Sequence, residues 1–160
     1  MITPIEINSG LTTICMLDAI SSWDDKKIIG QRCFHKAPSF AVIEACAQLC
    51  AFHVRKLRSF ACHAFLLSIS AFAPLPPSQL NGLGCFNAHV KSVSQKAYAY
   101  GLNVRLEDSV SFKVSLTIGI TEFGEKFKAD ILRDHYRQLF ESLYKLGLSE
   151  FSGTCREKIR

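Results

Sequence analysis

The segment from Pro38 to Arg58 restricts this chain's fold more than any other. Every residue of Phe40–Val54 except Glu44, Gln48 and His53 is apolar. An apolar residue at nearly every position describes a helix buried on most sides rather than one resting on a surface. Pro38-Ser39 supplies a start signal, with Ser39 as the N-cap candidate. Arg55, Lys56 and Arg58 follow at the other end, where cations complement the helix dipole. The run is too short to span a bilayer and holds Glu44 and Gln48 within it. It must therefore be wrapped by other elements of the chain.

Those elements read mostly as strands. Ile14–Ile20 suits a strand or a short helix, Ser21–Lys27 a turn, and Ile28–Phe34 a strand. After the helix, His63–Ala73 runs as a strand into Pro74-Leu75-Pro76-Pro77, and Ser78–Gly84 reads as a loop. Cys85–Tyr100, Leu102–Leu106 and Ser111–Thr121 read as further strands. Glu122–Glu125 suggests a hairpin turn into Phe127–Leu132. A last helix is expected over about 134–146, ended by Gly147 as its C′ residue. The 160 residues suit one α+β domain over 1–147, with a core at about 14–132 and a flexible tail at 148–160. One antiparallel sheet wrapped around one central helix accounts for the order of elements.

Glu44 is the only charged residue between Lys36 and His53. A carboxylate in an apolar helix must be paired, neutralised or directed to solvent. If desolvated, its pKa rises and it can give and take protons. Gln48, four residues on, shares its face and can bond either that carboxyl or a substrate carbonyl. The alternatives are an ion pair with a neighbouring strand or a solvent-facing position at the helix edge. Cys46, Cys50 and His53 have a spacing compatible with a metal, but no fourth ligand is near in sequence, and buried cysteines commonly fill cores. No metal and no cofactor are expected.

Charge and cysteine content narrow the classes further. The net charge of +5 comes from scattered residues, with no basic tract, so no nucleic-acid partner is expected. Seven cysteines and no apolar leader point to reduced thiols, a cytoplasmic location and no membrane association.

Ile43-Glu44-Ala45-Cys46-Ala47-Gln48 resembles the E-A-x-A-Q segment on the central helix of hotdog-fold 3-hydroxyacyl-ACP dehydratases. Pro38-Ser39 stands where that family has Pro-Gly. Met16–Trp23 with Lys27-Ile28 resembles its first strand and turn, and Ala64–Leu75 the strand after the helix. The resemblance covers roughly residues 14–132. It implies a hotdog fold, a homodimer or hotdog heterodimer with one continuous sheet, and an acyl-thioester tunnel at the interface. Glu44 then takes the place of the acid and Gln48 that of the residue orienting it. The family's G-H-F-P-G histidine loop is absent, since Gly30-Gln31 stands at its place. His35, nine residues before Glu44, is the candidate base if the loop is shorter. The closest pattern is a divergent branch such as the dehydratase-like proteins of aryl-polyene-type biosynthesis. The function implied is dehydration of a 3-hydroxyacyl thioester of acyl carrier protein or CoA, in fatty-acid or polyketide-type biosynthesis. A hotdog thioesterase and a non-catalytic acyl-carrier-binding subunit are the alternatives. For the latter, Arg55, Lys56 and Arg58 would dock the acidic carrier; otherwise they form a solvated helix end.

Overall fold

The structure is a computed structural model and describes residues 14–107, 111–125 and 128–149. Six strands and two helices follow in the order β1 (Ala19–Trp23), β2 (Lys27–Pro38), α1 (Phe40–Leu57), β3 (Cys62–Ala73), β4 (Gln79–Val93), β5 (Ala97–Leu106), β6 (Ser111–Glu122) and α2 (Ala129–Ser149). The strands form one sheet in the order β1-β2-β4-β5-β6-β3, antiparallel at every pairing. The sheet wraps α1, as the apolar run requires.

Alternation with period two lays Ile28, Phe86, Leu102, Val104, Phe112, Val114 and Leu116 on the face toward α1. Helix α1 meets them with Val42, Ala45, Cys46, Leu49 and Cys50, all buried. Its small residues allow close approach. Gly30 makes room for Leu49, since a Cβ there would lie 2.7 Å from Leu49 Cδ1. The helix ends in a Schellman arrangement: Phe60 N donates to Arg55 O and Ser59 N to Lys56 O, with Ser59 at φ 52. At the other end Ser39 stands at the N-cap position but forms no side-chain cap bond.

Helix α2 buries His135, Leu139, Phe140, Leu143 and Gly147 against β1 and α1. The Phe140 ring meets Trp23, Phe52 and Phe60 edge-on. One edge of the sheet, β1, is short and lies under α2. The other, β3, is twelve residues long and has no strand beside its outer side among the described residues.

Several boundaries differ from the sequence reading. Ser21–Trp23 belong to β1. The turn is confined to 24–26, where Asp24 Oδ1 accepts from Lys26 N and Lys27 N. The expected loop at 78–84 is mostly β4, which starts at Gln79. The long stretch 85–100 is broken by a turn at 94–96, held by the Ser94 hydroxyl accepting from Lys96 N and Ala97 N. The expected strand at 127–132 is instead the first turn of α2 from Ala129 onward; residues 126 and 127 lie outside the described residues. Apolar side chains at Leu132, Tyr136, Leu139, Phe140 and Leu143 follow a helical period. Gly147 does not end that helix. It sits inside it against β1, where a Cβ would come 2.0 Å from Ile20 O. Of the expected tail, 148 and 149 are helical and 150–160 lie outside the described residues.

Candidate functional site

Phe40, Glu44 and Gln48 recur every four residues, on the side of α1 turned away from the sheet. Phe40 is 69% exposed and Glu44 is exposed. The buried carboxyl considered from sequence is therefore corrected: within the chain, Glu44 takes the solvent-facing alternative. The reason is rotational. The sheet curves around one side of α1 and, among the described residues, leaves Phe40 and Glu44 exposed.

Gln48 holds the carboxylate. Its Nε2 donates to Glu44 Oε1 at 2.8 Å and to Ile14 O at 3.1 Å, while its Oε1 accepts from Met16 N at 2.7 Å. Both N–H groups and the carbonyl are thus engaged. Gln48 orients Glu44 and pins the backbone of 14–16 beside it. The bond to Glu44 matches the four-residue spacing, whereas those to Ile14 and Met16 leave no mark in the sequence, because they use main-chain groups that any residue would offer.

His35 lies on β2 in a bulge between Phe34 and Ala37, and it is exposed. Lys36 beside it has φ 46 and donates its N–H to Asn81 Oδ1 at 2.8 Å. Within the chain, no hydrogen bond joins His35 to Glu44. Nearby, Cys33 N donates to Asp18 Oδ2 at 2.6 Å, tying the residue before β1 to β2.

The other polar groups of α1 are structural. His53 is fully buried, with Nε2 2.6 Å from Asp24 O and Nδ1 2.8 Å from Tyr100 Oη. A carbonyl only accepts, so Nε2 carries the proton. Burial lowers the pKa of His53 and raises that of Tyr100, so the ring is neutral and the tyrosine hydroxyl donates to Nδ1. Cys46 and Cys50 are core residues whose thiol pKa values are raised by burial. Cys15, Cys33, Cys46, Cys50 and Cys62 are free, whereas Cys85 is disulfide-bonded, so the expectation of reduced thiols does not hold there.

The basic cluster is not simply a solvated helix end. The Arg55 guanidinium lies 3.9 Å from the Tyr136 ring centre and donates to Ala64 O at 2.8 Å. Lys56 Nζ lies 5.0 Å from the Trp23 ring centre, and Arg58 Nε donates to Tyr98 Oη at 3.2 Å. These cations join α1 to α2, β1 and β5. No described helix is long and apolar enough to cross a membrane.

No protein-family model and no curated protein matches the sequence. Solved structures do match in fold. A thioesterase from Haemophilus influenzae is 12% identical, covering 64% of this chain and 77% of its own, at a TM-score of 0.53. A hypothetical thioesterase from Streptococcus pneumoniae, solved with coenzyme A, is 12% identical over 64% of this chain and 84% of its own, at 0.53. The dehydratase heterocomplex ApeI:P from Xenorhabdus doucetiae is 13% identical over 70% of this chain and 85% of its own, at 0.51. With the sheet order and the wrapped helix, these similarities establish the hotdog fold.

Proposed function

We propose that this hotdog protein binds acyl thioesters on the open face of α1 and dehydrates 3-hydroxyacyl chains there. The observation that carries the reading is the Glu44–Gln48 hydrogen bond, which orients an exposed carboxyl group on α1. An oriented carboxyl group on that face can act on a substrate, whereas a carboxylate turned into the core could not.

The site is completed by a second subunit, a copy of this chain or another hotdog chain. Strand β3 exposes Phe65, Leu66, Leu67 and Ile69 along an edge that has no strand beside it among the described residues. Long apolar edges invite pairing with another strand. Joining two β3 edges would continue the sheet and bring the open face of each α1 toward the other subunit. His35 of one subunit then removes the proton from C2 of the acyl chain. The C3–O bond breaks, the C2=C3 bond forms, and the Glu44 carboxyl group gives its proton to the departing hydroxyl as water. A neighbour solved with coenzyme A supports CoA as the thioester carrier, and one solved as a dehydratase heterocomplex supports dehydration; acyl carrier protein is the other carrier proposed.

Hydrolysis of the thioester is the second reading. Its specific support is that Glu44 Oε1 is occupied by Gln48 while the side chain remains exposed, an arrangement that can also orient water. Incubation with 3-hydroxybutyryl and crotonyl thioesters of CoA and of acyl carrier protein separates the readings. Dehydration or hydration lost in Glu44→Gln supports the first. Thiol release lost in the same variant supports the second. Binding without turnover would identify a carrier-binding subunit, and no binding at all would overturn the proposal.

A further inference from the structure

Gln31 is fully buried although it faces away from α1. Its neighbour Gly30 turns toward Leu49 of α1, so strand alternation sends Gln31 to the outer side of the sheet. Strand register sets it in a row with Ala19 of β1 and Cys85 of β4, both also buried. The sheet separates this row from Glu44. Gln31 Nε2 and Oε1 have no hydrogen-bond partner. On an open outer face water would take those bonds, so the amide lies beneath a cover that excludes water. The described elements do not account for that cover: α1 lies on the opposite face, and α2 packs chiefly against β1.

Cys85 points to what supplies it. Cys85 is disulfide-bonded, whereas Cys15, Cys33, Cys46, Cys50 and Cys62 are free. The chain has seven cysteines, which leaves Cys155 as the partner. Cys155 belongs to 150–160, outside the described residues. Reach is sufficient. Gly147 of α2 abuts Ile20 O, next to Ala19. Cys85 stands two strand spacings from Ala19, about 10 Å, and residues 150–155 can extend about 20 Å. Beside Cys85 the outer face is recessed into a cavity of about 650 Å³, which Asn87, Asn103 and Lys113 also line. We infer that the segment 150–160 packs over the outer face of β2 and β4, tethered by a Cys85–Cys155 disulfide and covering Gln31. The bond forms by exchange with a small-molecule disulfide. One thiolate attacks it, the second displaces the mixed disulfide, and the reagent leaves as two thiols carrying the two electrons and two protons.

The test uses the full chain equilibrated with oxidised glutathione. After alkylation in denaturant and digestion with trypsin, residues 59–91 should be recovered joined to 146–156 through Cys85 and Cys155, and dithiothreitol should separate them. The cover is read at the Gln31 side-chain amide by NMR of the ¹⁵N-labelled chain. Its exchange with water should be about tenfold faster or more in the reduced chain and in Cys155→Ser, the effect of freeing a locally protected group. Cys33→Ser should leave the rate unchanged, since Cys33 is exposed and free, two residues along β2. Recovery of 146–156 unlinked, a Cys85 bond that joins two chains on a non-reducing gel, or a Gln31 exchange rate unmoved by reduction would overturn the inference.

Discussion

Gln48 Nε2 donates to Glu44 Oε1 at 2.8 Å, and the same side chain bonds Ile14 O and Met16 N. One amide thus connects a candidate acid to the first described residues of the backbone. Replacing Gln48 with Leu removes all three bonds at nearly constant volume. The expected cost is about 1–2 kcal/mol, because each net hydrogen bond contributes about 0.5–1.5 kcal/mol and the freed groups regain some water. Urea denaturation should show a lower midpoint at unchanged slope, and the Met16 amide should exchange faster with solvent. An unchanged exchange rate would show that something else holds the segment.

The second relationship is the buried His53–Tyr100 pair. Tyr100→Phe leaves His53 Nδ1 buried without a donor, and a loss of about 1–3 kcal/mol is expected in denaturant titration. His53→Gln should cost less, since a glutamine amide can donate to Asp24 O and accept from Tyr100.

The pH dependence of stability follows from the same histidine. Burial holds its folded-state pKa below the ordinary 6.5. Between the two values the unfolded chain binds a proton that the folded chain does not. Stability is therefore full above pH 6.5, falls as pH drops below it, and levels off below the folded-state pKa. His63 and His135, lowered by desolvation and by Arg55, add to the slope with the same sign. Unfolding midpoints measured from pH 8 to 5 should show a shallower fall in His53→Gln.

Gly147 tests how α2 docks. In a free helix, Gly→Ala stabilises by about 1 kcal/mol. Here the added methyl would meet Ile20 O at 2.0 Å. Overpacking typically costs about 1–3 kcal/mol, and a backbone obstacle favours the upper part of that range, so Gly147→Ala should be net destabilising. A raised melting temperature would contradict the close approach of α2 and β1.

The outer edge of β3, with no strand beside it among the described residues, predicts association. Sedimentation should show a dimer of the full chain, and Leu67→Lys should shift it toward monomer. Leu67 is 59% exposed, so a lysine there costs the single chain little. A monomer at all accessible concentrations would remove the second subunit from the proposed site.

How much was legible in sequence varies with the kind of information involved. The apolar stretch at Phe40–Val54 announced a wrapped helix because burial selects residue type at each position. Asp24 and Pro74 marked real chain reversals, since their chemistry is local. The turn at 94–96 was hidden because Ser94, Gln95 and Lys96 include no Gly or Pro, and its bonds use a serine hydroxyl. The start of α2 was misplaced because Phe127–Leu132 also suits a strand.

At the site, sequence alone determined that Glu44 and Gln48 share a helix face, a consequence of 3.6 residues per turn. Which face that is, only the tertiary structure decided. The curvature of the sheet set Glu44 outward and His53 inward, although both interrupt the same apolar run. The placing of Ile14–Met16 beside α1 determined that Gln48 is fully engaged, because main-chain N–H and C=O groups carry no residue label. Strand register likewise gathered Asn87, Asn103 and Lys113 into one cavity. Their separation along the chain gives no hint of that, since pairing across strands joins residues by geometry rather than by order.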